Sequence, residues 1–123
     1  MVRVSSDRFE ELVRQAMESL PDEFWNRLEN VVVTVADEPT REQLGYHGLT
    51  HGETLFGLYE GVPLTERSSF DPPWPDKITI FHGPLERHSA TEADLIAEVR
   101  DTVVHEVAHF FGIGDDRLHE LGL

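Results

Sequence analysis

Two histidines one helical turn apart are the residues best placed to do chemistry in this sequence. The run from His105 to His109 reads HEVAH. Residues i and i+4 of a helix lie on one face, so both imidazoles can reach one metal ion. In a zinc site of this type the histidines are neutral ligands, while the Glu stays outside the coordination sphere and accepts a proton from the attacking water. The spacing therefore predicts zinc bound by His105 and His109, with Glu106 as general base.

A third zinc ligand is expected just beyond this helix. Gly112 can close the helix in the left-handed conformation and let the chain reverse. The residue six positions after His109 is Asp115, and a carboxylate oxygen at about 2.0–2.2 Å is an acceptable zinc ligand. Asp116 is the alternative ligand, although the spacing favours Asp115. His119 is either a partner that orients this carboxylate or an exposed residue.

The composition restricts the other ligands that the chain can bind. Its 123 residues include seven His and no Cys, so a metal site must use nitrogen and oxygen ligands. The 24 acidic and 10 basic residues give a net charge of −14, which repels phosphate backbones. We therefore expect no nucleic-acid partner, whereas cations and basic peptides are compatible ones.

Length and hydropathy indicate one domain over residues 1–123. The N-terminus carries charges every few residues, and no stretch approaches the roughly 18 apolar residues of a membrane helix. We therefore expect a cytoplasmic protein without a membrane partner.

Hydrophobic periodicity predicts the elements that must position the site. Thr91 and Asp94 have capping-box spacing at the start of the last helix. The predicted helices cover 5–20, a short segment from Pro21, and Thr91–Gly112, with short helical turns after Pro84 and over Asp115–Leu121. The predicted strands are Val31–Val35, Thr54–Tyr59 and Lys77–His82, with a loop over Glu42–Gly52 and a long proline-rich excursion over 63–76.

The chain also resembles a known family. Its C-terminal HEVAHFFGIGDDRLHELG is similar to the HExxHxxGxxD signature of the small bacterial zincin-like metallopeptidases, or minimal zincins. GLYEGVPLTER at 57–67 and PDKITIFHGPL at 75–85 resemble other segments of that family, and the resemblance spans residues 30–121. Longer metzincins have a third His in place of Asp115 and a methionine turn. Because Met1 and Met17 are the only methionines, the minimal family fits better.

The resemblance implies a zincin-like α+β fold. In that fold a small mixed sheet of three or four strands packs with N-terminal helices and a long C-terminal helix that binds zinc. It also implies Zn²⁺ held by His105, His109 and Asp115, with Glu106 as the catalytic base. In zincins the edge strand of the sheet pairs with an extended peptide, and Thr54–Tyr59 is the candidate for that strand.

Several other residues have two interpretations each. A second donor for the oxyanion of the reaction could come from one of four residues, although each residue of this kind is more often an ordinary strand or loop residue. They are Tyr46, Tyr59, His51 and His82. His47 and His51 have ligand-like spacing, but Gly48 between them favours a solvated loop. Trp74 covers either a cleft or, more in keeping with a large aromatic, the core.

Three functions are compatible with these features. The first is a zinc-dependent metallopeptidase acting on a peptide or protein substrate, favoured because a structural zinc site does not need the base Glu106. The second is a non-catalytic, zinc-containing protein-binding module with the same fold, favoured by the small size of the chain. The third is a metal-dependent RNA hydrolase, which the charge of −14 disfavours.

Overall fold

Nine helices and strands are present in the computed structural model, which describes residues 1–28, 31–46, 48, 54–61 and 76–120. In the range 76–120, the structure describes only the backbone of Asp115, Leu118 and His119. In chain order the elements are α1 (Ser6–Glu18), α2 (Asp22–Trp25), β1 (Val31–Ala36), α3 (Arg41–Tyr46), β2 (Gly57–Glu60), β3 (Asp76–Phe81), α4 (His82–His88), α5 (Glu92–Phe111) and α6 (Asp115–Glu120).

The three strands form a mixed sheet in the order β1-β3-β2. β1 runs parallel to β3, with Val31 opposite Asp76, and β2 runs antiparallel to β3, with Gly57 opposite Ile80. β3 is central, and all its residues except Lys77 are buried. Among the described residues, β1 and β2 therefore form the two edges, and the fold is the predicted α+β arrangement.

Helix α5 is the element that carries the HEVAH run. Thr91 caps it, and the capping box with Asp94 is present, with N–H to oxygen distances of 3.1 and 3.3 Å. Gly112 ends it in the left-handed conformation, at φ 69° and ψ 27°. Both ends of this helix are therefore as predicted.

The core lies between the sheet and two helices, because α1 and α5 each have one apolar face and pack together. The fully buried side chains are contributed by α1, β3, α4 and α5, with Phe9, Ile78, Ile80, Leu85, Leu95, Val99 and Val103 among them. This packing fixes the position of α5 beneath β3 and β2. No helix in the described ranges is long and apolar enough to cross a membrane.

The structure differs from the sequence-based prediction at three places. Helix α3 covers Arg41–Tyr46, most of which falls in the predicted loop from Glu42, because Thr40 and Gln43 form a capping pair. The N–H of Gln43 donates to the Thr40 hydroxyl at 3.0 Å, and the N–H of Thr40 donates to the Gln43 amide oxygen at 2.9 Å. The second strand begins at Gly57 rather than Thr54, and His82 starts α4 instead of ending β3. Most of the proline-rich excursion, with Trp74, lies outside the described residues.

Substitutions at two neighbouring residues of α5 test which face of this helix packs against the core. Leu95 is fully buried, whereas the adjacent Ile96 is 44% exposed. We expect Leu95→Ala to lower the free energy of unfolding by about 2–5 kcal/mol, through lost burial and the cavity that remains. Ile96→Ala is the matched control and should change it by less than about 0.5 kcal/mol. Urea unfolding at pH 7 measures both, and equal effects would contradict this orientation of α5.

A salt bridge joins the turn after β1 to α4. The Arg87 guanidinium donates to both carboxylate oxygens of Glu38, at 2.7 and 2.8 Å. This pairing lowers the pKa of Glu38 below its ordinary value of 4.5. A lowered folded-state pKa means that the stabilisation is present above that ordinary value and is lost as the pH falls through the folded pKa.

We expect Glu38→Gln to destabilise the protein at pH 7 by no more than about 1 kcal/mol, because both side chains are half exposed and the pair is screened. Unfolding measured at a series of pH values should show the difference vanishing once Glu38 is protonated in the wild type. A difference that persists in acid would mean that the contribution of Glu38 is not electrostatic.

Candidate functional site

The last two turns of α5 bring His105, Glu106 and His109 together beside β2. The two imidazoles are exposed, and Glu106 is buried. The Nδ1 atom of His109 lies 3.3 Å from Oε1 of Glu106. The helical spacing thus produces two accessible nitrogen ligands with a buried carboxylate beside them.

Glu106 is buried because β2 crosses α5 directly above it. A β-carbon added to Gly57 would lie 3.1 Å from Cγ of Glu106 and 2.6 Å from Cγ2 of Thr102. Two residues further along the strand, the backbone N–H of Tyr59 donates a hydrogen bond to the Glu106 carboxylate. Both contacts use the backbone of β2, so the strand holds the carboxylate in place regardless of its side chains.

The register of the sheet shows which edge of β2 the Glu106 carboxylate contacts. The N–H of Phe81 donates to the carbonyl of Phe56 at 2.9 Å, which makes this pair a hydrogen-bonded one. Pairs alternate along an antiparallel ladder, so the N–H and C=O groups of Gly57 and Tyr59 point away from β3. The Tyr59 N–H that holds Glu106 is therefore on the outer edge of the strand, the edge that faces away from β3 and where an added strand would pair.

The environment of Glu106 changes its acidity in two opposing ways. Burial raises the pKa of the Glu106 carboxyl above its ordinary value, because the charged form loses solvation. The imidazoles of His109 and His105 and the hydrogen bond from Tyr59 N–H oppose this effect. The net direction is upward, toward the operating pH at which a general base is most effective.

Two open clefts flank the crossing of β2 and α5, each of about 380 Å³. One lies on the His105 side and is lined by Phe56, Gly57, Glu98, Asp101, Thr102, His105 and Glu106. The other lies on the His109 side and is lined by Tyr59, Gly61, His109, Gly112, Ile113 and Gly114. Each histidine therefore borders a solvent-accessible cleft that is large enough for peptide side chains.

A larger cavity, of about 670 Å³, lies elsewhere, between α1, α2 and β1. Four valines line it together with Met17, Trp25 and Leu28 and three polar residues, and none of these described residues is a histidine. The HEVAH run lies at β2, so we assign the candidate site to the smaller clefts.

The third predicted ligand, Asp115, is the first residue of α6, directly after the Gly112 turn, and its side chain lies outside the described residues. Asp116 is exposed on the same helix, and the side chain of His119 is also outside the description. Among the described side chains, no three His, Asp or Glu residues form a group that could hold a metal ion. Two exposed imidazoles beside a carboxylate are nevertheless a donor set that suits zinc.

The proposed oxyanion donors lie in different places. The Tyr59 hydroxyl donates to Oδ2 of Asp76 at 2.8 Å, so the side chain is engaged within the sheet. His82 packs against Phe9, with ring centroids 4.3 Å apart, and its Nε2 lies 2.9 Å from the Glu86 carboxylate. Tyr46 is exposed at the end of α3 and borders a third cleft beside β2. His47 and His51 lie outside the described residues.

Sequence reasoning missed the role of the β2 backbone at this site. Gly57 and the Tyr59 N–H contribute no side-chain chemistry, so the GLYEGVPLTER segment that contains them gave no indication of this role. The available signal was the glycine in a strand, since an isolated strand glycine often marks a close approach of another segment.

These features define a small α+β protein whose His-Glu-x-x-His helix lies against the edge strand of a mixed sheet. The model of the zincin-like metallopeptidase family matches residues 28–123. The chain therefore belongs to the zincin-like metallopeptidase family, which confirms the resemblance seen in its sequence.

A solved structure of a conserved hypothetical protein from Thermus thermophilus is similar to this chain, with a TM-score of 0.56 and 24% sequence identity. The match covers 96% of this chain and 97% of that one, and it supports the fold alone. No curated protein gives a significant match.

Proposed function

We propose that the protein is a zinc-dependent metallopeptidase that cleaves extended peptides bound along the outer edge of β2. The observation that carries this proposal is the position of the Glu106 carboxyl, buried directly beneath β2 and in contact with the exposed His109. This position places a carboxylate at the edge where an extended peptide would pair. A structural zinc site has no use for a base in that position.

His105, His109 and Asp115 would hold the zinc, which when bound polarises the scissile carbonyl and acidifies the attacking water. Two imidazoles and a carboxylate are suitable zinc ligands, and the chain contains no cysteine that could replace them.

The substrate would bind by adding a strand to the sheet. The N–H and C=O of Gly57 point to the outer edge, in the direction from which a peptide backbone would pair. The Tyr59 N–H on the same edge is already occupied by Glu106. Main-chain pairing would therefore bring the substrate's peptide bonds close to the Glu106 carboxylate.

Glu106 would perform the proton transfers of hydrolysis. It accepts a proton from the water that attacks the carbonyl carbon, and it delivers this proton to the amine nitrogen as the C–N bond breaks. The products are a carboxylate and an amine. Both transfers require a carboxylate held in place, which the hydrogen bond from the Tyr59 N–H supports.

The same chemistry suggests which substrates bind. Glu98 and Asp101 line the cleft on the His105 side, and the chain has a net charge of −14. Extended peptides with basic residues fit this surface, whereas nucleic acids do not. We expect the protein to act in the cytoplasm without a membrane partner.

A second function, a non-catalytic protein-binding module, is favoured by the outer edge of β2 itself. A partner strand could pair with the N–H and C=O of Gly57 without being cleaved, with zinc serving only to hold α5 and the residues after Gly112 together.

Removal and replacement of the metal tests the proposed function. Protein stripped with a chelator should cleave no peptide, and one equivalent of Zn²⁺ per chain should restore cleavage. Zinc that binds at one equivalent and restores no cleavage would favour the binding module instead.

A further inference from the structure

Gly57 is the point at which β2 comes closest to α5. Its backbone does not require glycine, since the positive-φ glycines among the described residues are Gly48, Gly61 and Gly112. Glycine in a strand is otherwise unfavourable, because it is flexible and packs no side chain. The reason for glycine at this position is therefore space rather than conformation.

Two groups occupy the space that a side chain at Gly57 would need. An added β-carbon would lie 2.6 Å from Cγ2 of Thr102, a separation that real β-carbons essentially never show, and 3.1 Å from Cγ of Glu106. Thr102 cannot easily move away, because its hydroxyl donates to the carbonyl of Glu98 at 2.7 Å within α5. A side chain at position 57 must therefore lift β2 away from the helix.

We propose that Gly57 is a positioning residue, whose missing side chain lets β2 lie close enough to α5 for the Tyr59 N–H to hold Glu106. Reaching ordinary van der Waals contact with Thr102 would require a shift of about 0.8 Å, and an N–H···O hydrogen bond is largely lost when it lengthens that far. The catalytic consequence rests on the proposed function, but the placement of the strand does not.

The outer edge of β2, where a substrate would pair, and the proposed base Glu106 are linked through the same strand. Gly57 and Tyr59 are two residues apart on β2, so both direct their backbone groups to the outer edge. Lifting the strand at Gly57 would therefore move the pairing edge and release Glu106 together. The position of one glycine sets the distance between the bound peptide and the base.

The test is the amide resonance of Tyr59 in ¹H–¹⁵N spectra of the metal-free protein. A hydrogen bond to a carboxylate shifts this proton downfield, so Glu106→Gln should move it upfield. Gly57→Ala should move it in the same direction in a protein that remains folded. Adding Thr102→Ser, which removes Cγ2 but keeps the hydroxyl, should return the resonance most of the way to its wild-type position.

Two variants serve as controls. Gly45→Ala is the matched glycine substitution, because a β-carbon at Gly45 in α3 meets nothing within 4 Å. Thr102→Ser alone retains the hydrogen bond to Glu98. Both should leave the Tyr59 resonance unchanged.

A folded Gly57→Ala protein with an unchanged Tyr59 resonance would overturn the proposal. Where Gly57→Ala does not fold, the double variant decides: recovery of folding with a wild-type Tyr59 resonance supports the proposal, and failure to recover overturns it.

Kinetics with the zinc-loaded protein separate this inference from the proposed function. Gly57→Ala should lower kcat by about tenfold to a hundredfold, since a misplacement of about 1 Å has effects of that size, and Thr102→Ser should restore most of it. The Tyr59 resonance could respond to the variants as predicted while the zinc-loaded wild type cleaves no peptide. This combination would contradict the peptidase function and leave the positioning by Gly57 intact.

Discussion

Glu106→Gln is expected to remove peptide cleavage from the zinc-loaded protein while leaving zinc bound. The amide keeps the size of the carboxylate and can still contact the β2 backbone, but it cannot accept a proton from water. General-base catalysis accelerates such reactions by about 10²–10⁴-fold, and we expect kcat to decrease by a factor in that range. The measurement is steady-state cleavage of one peptide, with zinc content determined on the same samples.

Glu92→Gln is the matched control for this variant. Glu92 is exposed at the first turn of the same helix, where it accepts a hydrogen bond from Arg8 at 2.8 Å. It lies far along α5 from the histidines, so cleavage should be unchanged. Glu106→Gln protein that cleaves at the wild-type rate would show that another group is the base.

His105→Ala should weaken zinc binding by more than about a hundredfold, a loss larger than that of removing a group that only orients a ligand. His105 is exposed on α5, so its loss should leave the core intact and the protein folded. Competition with a chromophoric chelator measures the affinity. The same loss is expected for His109→Ala, since each histidine supplies one ligand.

His88→Ala is the control for the histidine variants. His88 is exposed on α4 and contacts the ring of Phe56, with centroids 5.0 Å apart, but it lies outside the HEVAH run. Its zinc affinity should equal that of the wild type. Equal zinc affinities for His105→Ala and His88→Ala would mean that α5 does not provide the metal site.

The helices of this protein could be predicted from local signals. The capping box at Thr91 and the glycine at 112 delimit α5 because both act within a few residues of the chain. Helix α3 has the same kind of signal, a Thr-x-x-Gln pair at Thr40 and Gln43. The glycines and histidines that follow made the segment resemble a loop, although its first turn is helical.

The exact limits of the strands depend on pairing, which local sequence does not specify. Apart from its glycine, Thr54–Tyr59 is compatible with a strand along its whole length, but the regular ladder with β3 begins at Gly57. His82 continues the alternating pattern of β3, yet it begins α4, where it packs on Phe9 of α1. Both limits are set by residues distant in the chain.

One part of the candidate site could likewise be predicted from local sequence, and the other part depends on contacts between distant residues. His105, Glu106 and His109 lie within one helix, so their juxtaposition follows from helical periodicity. The crossing of Gly57 over Glu106 and the hydrogen bond from Tyr59 bring together residues almost fifty positions apart. The Tyr59 N–H carries no residue-specific signal, so only the folded structure reveals its role, whereas Gly57 gives the weak signal of a glycine within a strand. Asp115 as the third ligand is still a prediction from spacing.

One measurement tests the central claim most directly. A peptide library is incubated with zinc-loaded wild type and with zinc-loaded Glu106→Gln, and the fragments are identified by mass spectrometry. We predict one zinc per chain in both proteins, cleavage by the wild type alone, and enrichment of basic residues near the cleaved bonds. One zinc per chain with no cleavage by either protein would contradict the peptidase function and leave β2 as a binding edge.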